Sequence, residues 1–336
     1  MTMKILGKED CREAWDAVAK GCDAATFFHT PLWSDILTAT FPERYSNATM
    51  AFEFGAGDVV VFPMVETGRE LRGFFRHLES NEPGVYGGFL SSGDLTEEKI
   101  GRILRYLQTG RTANLFVFGN PHAELDRYFG DWLRRENFTH LFNLDDYPTE
   151  QDLLNTYPTG TRSRVKKSKD AGFVLEKARS REDLNDFFSI YQSAMNRWGA
   201  KASNAYPIQL FDNILRMAPE NAVLWLLKDG RKTIAGALNF YYQRRCYGWH
   251  ASSLSDYFKF GINNFFIHRM VWEAKGRGTK VFDCHPSGGH EGAAAFKDNC
   301  GAKRKYFNSY EWNGGAVYRA YQRLRSDNPL KTLERA

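Results

Sequence analysis

Two titratable side chains stand where an α/β protein does its chemistry. Asp283 lies in the strand-like run Thr279–Cys284, and the crevice beyond the carboxyl end of such a strand is where α/β sheets bind ligands. His250 lies at the end of the run Arg245–Ala251 and has the residue type of a general base. The N-terminus of the helical pattern between them, Gly261–Lys275, offers free amides and the positive end of a dipole. An anion such as a pyrophosphate suits that end, with Gly261, Asn263 and Asn264 as phosphate-binding donors. Each feature also has a plainer use: a strand-end acid caps a Gly-rich loop, and a histidine packs. Cys284, His285 and His290 invite a zinc site, but adjacent residues rarely ligate one ion and no second pair matches them, so no metal is expected. Cys284 as a nucleophile lacks an orienting partner.

The elements that must position these groups follow from periodicity. Strand, helix and strand in that order form a βαβ unit, which closes in one hand. Ile262, Phe265, Phe266, Met270, Val271 and Ala274 recur at helical spacing, and Gly276 and Gly278 stop the helix. Upstream, Thr161–Gly172 holds five basic residues against one acid. On a helix, Arg162, Lys166 and Lys169 share one face and Arg164 with Lys167 another. That face is either solvated or a landing site for phosphates of a nucleotide-linked substrate or of RNA. A helix over Ser180–Arg197, capped by Ser180, leads to a polar loop over residues 197–206 in which Trp198 can stack on a sugar or base.

Phe282-Asp283, the Gly-rich loop Pro286–Gly292 and then Phe296-Lys297-Asp298-Asn299-Cys300-Gly301 resemble the closing segment of the FemAB-like transferases, a branch of the GNAT acyltransferase superfamily. There an Asp-containing strand and a Gly-rich loop precede Phe-Lys-x-x-Phe-Gly; here Cys300 stands where an aromatic is more usual. The phrase Phe27-Phe28-x-x-Pro31-x-Trp33 is similar to the opening of the same proteins. The resemblance covers most of the chain and is clearest from Thr161 to Tyr310. It implies an α/β fold with a mixed sheet, two tandem GNAT-like domains and a C-terminal helix returning to the first. Residues 1–146, with the tail 316–336, would form one domain, and 147–315 the domain carrying the motif. It implies that Lys297 sits beside the reacting acyl ester, stabilising charge or shuttling a proton. It also implies that Arg197, Trp198 and Tyr206 lie over the acceptor, and that Arg162 and Lys166 belong to a basic helix common to these proteins. Characterised members draw an acyl group from aminoacyl-tRNA and place it on an amine of a peptidoglycan precursor. GNAT enzymes that use acyl-CoA carry Arg/Gln-x-x-Gly-x-Gly/Ala before the helix. Tyr257–Asn264 has a single glycine and no leading Arg or Gln, which puts CoA binding in doubt.

Composition sets the bounds. The 336 residues are 43% apolar, 15% aromatic and 25% charged, a globular chain of about two domains. Apolar runs are short, so no membrane span is expected. The first ten residues lack an apolar signal segment, and five scattered cysteines read as reduced thiols, which points to the cytoplasm. The net charge of +5 suits a polyanionic ligand or ordinary solubility.

In chain order, the first half reads as a short strand at Met3–Leu6, a helix over Glu9–Ala19 and a helix from Pro31 capped by Thr30. A hairpin follows, Asn47–Phe54 with Val59–Val65, then short strands at Phe74–Glu79 and Gly88–Ser91 and a helix over Glu97–Gln108. A strand at Asn114–Phe118, a helix over Leu125–Asn137 and a strand at Phe138–Leu144 would close the half as its βαβ. In the second half, Pro207–Met217 is a helix, and Ala222–Lys228 and Thr233–Tyr242 form a hairpin around Asp229-Gly230. Ala316–Leu324 and the tail beyond it read as a basic amphipathic helix.

Three functions remain in play. The first is a FemAB-like acyl- or aminoacyltransferase making an amide on a cell-envelope or saccharide precursor, nucleotide- or lipid-linked saccharides included. The second is an acyl-CoA-dependent N-acetyltransferase of GNAT type. The third is a non-catalytic nucleotide- or RNA-binding protein. The expected acyl donor is aminoacyl-tRNA or acyl-CoA, with no tightly bound cofactor.

Overall fold

A computed structural model describes residues 2–55, 57–81, 84–109, 111–199 and 205–326. The chain divides into two compact units, Met1–Glu136 with Phe307–Ala336, and Asn137–Tyr306. The first begins with β1 (Lys4–Ile5), α1 (Lys8–Gly21) and α2 (Pro31–Thr40). Thr30 caps α2 by accepting from the Trp33 amide, as the Thr-Pro pair predicts. The strands β2 (Ser46–Asn47), β3 (Met50–Glu53), β4 (Val59–Phe62), β5 (Val65–Glu70), β6 (Phe75–Ser80) and β7 (Leu90–Ser91) follow, then α3 (Glu97–Thr109) and β8 (Thr112–Phe118). The predicted hairpin is β3–β4, paired antiparallel with Met50 opposite Phe62. Strands β5 and β6 pair antiparallel, while β6 and β8 pair parallel with α3 as the crossover. Ile100, Ile103, Leu104 and Leu107 bury the predicted face of α3 against Leu78, Leu115 and Val117.

The βαβ of this unit therefore lies one step earlier than expected. Leu125–Asn137 is not a helix. A single 3-10 turn, Asp126–Tyr128, is followed by a long strand. The charged run Arg134-Arg135-Glu136 suits a helix by composition, but packing overrides propensity. Phe129 stacks on Tyr310 at 4.1 Å, Ser309 Oγ donates to the Arg135 carbonyl and Arg135 pairs with Glu311 at 3.7 Å.

The second unit opens within that strand, β9 (Leu133–Asn143), at Asn137, and continues with α4 (Glu150–Asn155), α5 (Thr159–Asp170), β10 (Val174–Lys177), α6 (Arg181–Trp198) and α7 (Ile208–Met217). Then come β11 (Ala222–Asp229), β12 (Lys232–Tyr242), β13 (Arg245–Ser253), α8 (Ile262–Gly276), β14 (Val281–Asp283) and α9 (Glu291–Asn299). Strands β10 to β13 run antiparallel in order, β14 pairs parallel with β13, and β9 pairs antiparallel with β14. The predicted βαβ is thus β13–α8–β14. Its helix buries Ile262, Phe265, Phe266, Met270, Val271 and Ala274 in one cluster with Cys246 and Phe282. The other face of the sheet takes α6, so closely that a Cβ at Gly236 would lie 2.4 Å from the Phe187 ring. Ser180 caps α6 in a reciprocal box with Asp183.

The chain ends in β15 (Lys303–Asn313), whose last five residues pair with β8, and α10 (Ala316–Ser326). The tail helix returns to the first unit as expected: Tyr318 and Tyr321 pack on Phe75, and the Tyr318 hydroxyl donates to Glu70. Residues 327–336 of the predicted tail, and 200–204 of the predicted polar loop, lie outside the described residues. Among the described residues no helix is long and apolar enough to cross a membrane.

Candidate active site

Strands β13 and β14 pair only from Arg245 opposite Val281 to Tyr247 opposite Asp283, whereas β13 continues to Ser253. At the point of parting, β14 stays with β9, because the Cys284 amide donates to the His140 carbonyl at 2.8 Å. A register shift between Leu238 and Asn239 leaves Trp249 as an extra residue in β13, and such a bulge adds twist and re-aims side chains. The two strands thus open a wedge at the carboxyl end of the sheet, where ligands of α/β folds sit.

Asp283 is fully buried at the apex of the wedge. Its Oδ1 accepts from Thr139 Oγ1 and from the His285 amide, the latter at 2.8 Å. His285 has φ +58°, a left-handed conformation costly for a side chain of this size. The Asp283 bond holds that turn and so aims the His285 carbonyl. Lys297, on α9, donates Nζ to this carbonyl at 2.6 Å. Burial pushes the Lys297 amine below the usual lysine value, with the nearby Cys284 and Asp283 pulling it partly back. The Cys284 thiol is itself driven up by burial, so it stays protonated and is no nucleophile at neutral pH. Lys297 and Asp283 therefore meet through one backbone turn.

A second group joins them that the sequence did not announce. His140 is wholly buried and shares a hydrogen bond with Asp298 at 3.0 Å, and Arg304 grips both carboxylate oxygens of Asp298. This anchors the turn of α9 next to Lys297. Thr139 and His140 are 144 and 158 residues from their partners. The sequence signal was the adjacent polar pair Thr139-His140 within the strand pattern Phe138–Leu144.

His250 faces the other side of the sheet, ringed by Tyr191, Tyr206, Phe211 and Trp249 at centroid distances of 4.2–6.2 Å. Burial, with a smaller push from His285, lowers its pKa to about 3. At neutral pH the ring is uncharged but a weak proton acceptor, since an effective base has a pKa near the working pH. His250→Gln is expected to lower acyl transfer by less than about tenfold, where removal of a general base costs about 10²–10⁴-fold. A folded variant losing a hundredfold or more in steady-state assays would restore the base role. Tyr206 is buried beside it, its amide on the Tyr191 hydroxyl at 2.9 Å. Trp198 is 44% exposed and lies 5.7 Å from the His290 ring, so the end of α6 reaches the Gly-rich loop. Arg197 sits over the Phe258 ring at 5.4 Å.

The predicted anion seat is differently furnished. A 3-10 helix, Ser255–Phe260, leads into α8, and the Gly261 amide donates to the Phe258 carbonyl. Gly261 has φ +78°, and a Cβ there would lie 2.5 Å from Arg164 Cβ, so α5 closes over it. Ser168 Oγ and Lys167 Nζ tie α5 to the Phe260 and Lys259 carbonyls. The Asn263 side chain accepts from Ser253 Oγ at 2.7 Å. Asn264 is buried with its amide on Cys300 Sγ. Arg162 and Lys166 stand exposed on α5, and Arg162 bonds the Thr159 hydroxyl and the Asn155 carbonyl. Thr161 Oγ1 bonds the Asn299 carbonyl, so α5 begins at the end of the helix carrying Lys297. Among the described residues no cluster of three or more His, Cys, Asp or Glu is placed to hold a metal ion.

Comparison with known proteins gives a domain match and a fold. Residues 159–298, which include α5, the wedge and Lys297, match the family of the acetyltransferase (GNAT) domain. No curated protein matches the chain. Among solved structures, FemX superposes with a TM-score of 0.69 at 15% identity, covering 96% of this chain and all of that one. A conserved protein of unknown function from Bacteroides thetaiotaomicron gives 0.55 at 10% identity, covering 93% and 98%. L-PGS from Bacillus licheniformis gives 0.51 at 12% identity, covering 88% and 97%. Residues 159–298 thus match an acetyltransferase (GNAT) domain, within a chain that has the fold of FemX.

Proposed function

We propose that this acyltransferase joins an acyl or aminoacyl group to an amine of a cell-envelope or saccharide precursor, forming an amide. The observation that carries the reading is the Lys297 ammonium, fixed on the His285 carbonyl where β13 and β14 part. In the proposed step a neutral amine attacks the acyl carbonyl carbon. Its proton leaves as the carbon–oxygen bond of the ester breaks, and the departing oxygen takes up a proton. A desolvated ammonium beside that carbon stabilises the oxyanion, a type of contribution typically among the largest in such reactions.

Aminoacyl-tRNA is the preferred donor. The turn before α8, where acyl-CoA enzymes seat the pyrophosphate, is narrowed by Arg164 and has its Gly261 amide already engaged. The exposed basic face of α5 lies alongside and suits an RNA phosphate backbone. The match to the GNAT domain favours acyl-CoA as the rival donor. Both are separated by one pair of assays on the full chain. Amide formation from aminoacyl-tRNA, with no thermal shift from acetyl-CoA or longer acyl-CoAs, is expected. Saturable stabilisation by an acyl-CoA together with turnover would replace the first donor by the second.

A further inference from the structure

The opposite end of the β13–β14 pair carries a concavity that the transfer reaction does not use. Its volume is about 290 Å³, and its lining includes Asn221, Tyr241, Arg244, Arg245, Arg277 and Thr279. It lies at the first residues of both strands, and His250 stands five positions along β13 from Arg245, roughly 17 Å at the rise of a strand. We propose that it is a second binding site, for a phosphate-bearing small molecule no larger than a mononucleotide.

Three arginines line this space, and its lining includes no carboxylate. Two acids of the flanking segments are already paired: Glu273 with Arg269 at 2.9 Å and Asp145 with Lys280 at 3.9 Å. Arg245 also bonds the Tyr247 hydroxyl, so the proposal rests on Arg244 and Arg277. Arg277 lies over the Tyr241 ring at 4.6 Å. That contact holds the plane of the guanidinium and leaves its edge N–H groups for a ligand. The Tyr241 hydroxyl is in turn fixed by Trp225 Nε1 at 3.1 Å. Arg244 sits in the tight β12–β13 turn, and that turn is locked because the Arg244 carbonyl accepts from the Lys280 amide at 2.7 Å. Both cations thus project from fixed supports, the arrangement that makes bidentate phosphate recognition strong.

The C-terminus of α8 points into the same region, and its dipole opposes an anion. That end amounts to about half a negative charge. Its carbonyls are already capped by the amides of Arg277, Gly278 and Thr279, and Lys275 lies in the last turn. Arg277 stands at the helix end itself, so Arg244, supplied by a different element, exceeds that need.

The test is calorimetry on the full chain at fixed ionic strength with inorganic phosphate, pyrophosphate, AMP and ADP, and with sulfate and a short RNA as controls. Saturable binding of at least one phosphate compound is expected. Arg277→Ala and Arg244→Ala should each weaken it at least tenfold, and the double variant should abolish it without changing acyl transfer. Arg277→Lys keeps the charge and should lose severalfold. It supplies the same comparison if the alanine variants fail to fold. Absence of saturable binding overturns the proposal, as does affinity unchanged in the variants. Equal binding of sulfate, or binding of RNA alone, overturns it too.

Discussion

Lys297→Met is expected to cut amide formation at least about a hundredfold while leaving the thermal midpoint unchanged or slightly higher. The loss follows from removing a preformed charge beside the developing oxyanion, an effect of about 10²–10³-fold in comparable sites. The stability half follows from burial. Because the folded state holds the Lys297 pKa below its ordinary value of 10.5, the unfolded chain binds this proton more tightly. Stability therefore rises with pH between the lowered value and 10.5, and the cost of burying the charge is fully present below that window. Methionine keeps the apolar stem and removes the charge, at the expense of one hydrogen bond to the His285 carbonyl, about 1 kcal/mol. Lys297→Arg should not restore activity, since a rigid planar fork cannot take the place of a point charge on a flexible stem. Single-turnover rates and melting curves on the same preparations check both halves. A variant that loses activity only by unfolding would contradict the account.

Asp283→Ala is expected to be the more destructive change. It leaves the Thr139 hydroxyl and the His285 amide without their shared acceptor in a fully buried site. Each stranded donor costs about 1–3 kcal/mol, so a loss of roughly 2–5 kcal/mol is expected. The left-handed turn at His285 is no longer held, the carbonyl that fixes Lys297 shifts, and transfer falls with stability. Adding His285→Gly should recover part of the stability, because glycine adopts φ +58° without strain. Chemical denaturation of the single and double variants measures this. Equal midpoints for wild type and Asp283→Ala would show that the carboxylate does not hold the turn.

Much of the second unit is legible in its residues. The apolar spacing of Ile262 to Ala274 places α8, Asp229-Gly230 places the β11–β12 hairpin, and Asp283 with Lys297 falls at one apex. What is not legible has physical causes. Helix propensity in Arg134-Arg135-Glu136 is overruled by pairing with β15, a partner about 175 residues away in sequence (Ser309 to Arg135, a separation of 174). The Thr139 and His140 contacts join segments too distant for any spacing rule. His250 has the residue type of a base, but only its packed neighbours reveal four aromatic rings that hold its pKa near 3. Asn264 suits a helix N-terminus by type. It turns inward because α8 is buried on most sides, with His268 buried as well.

The most direct measurement is the titration of the Lys297 amine by NMR on the full chain carrying ¹³Cε-labelled lysine, with the resonance assigned by its loss in Lys297→Arg. This one signal is expected to titrate below 10.5, and Asp283→Asn is expected to perturb it. A Lys297 resonance that titrates with the surface lysines and ignores Asp283 would place the ammonium in bulk water and remove it from the chemistry of transfer.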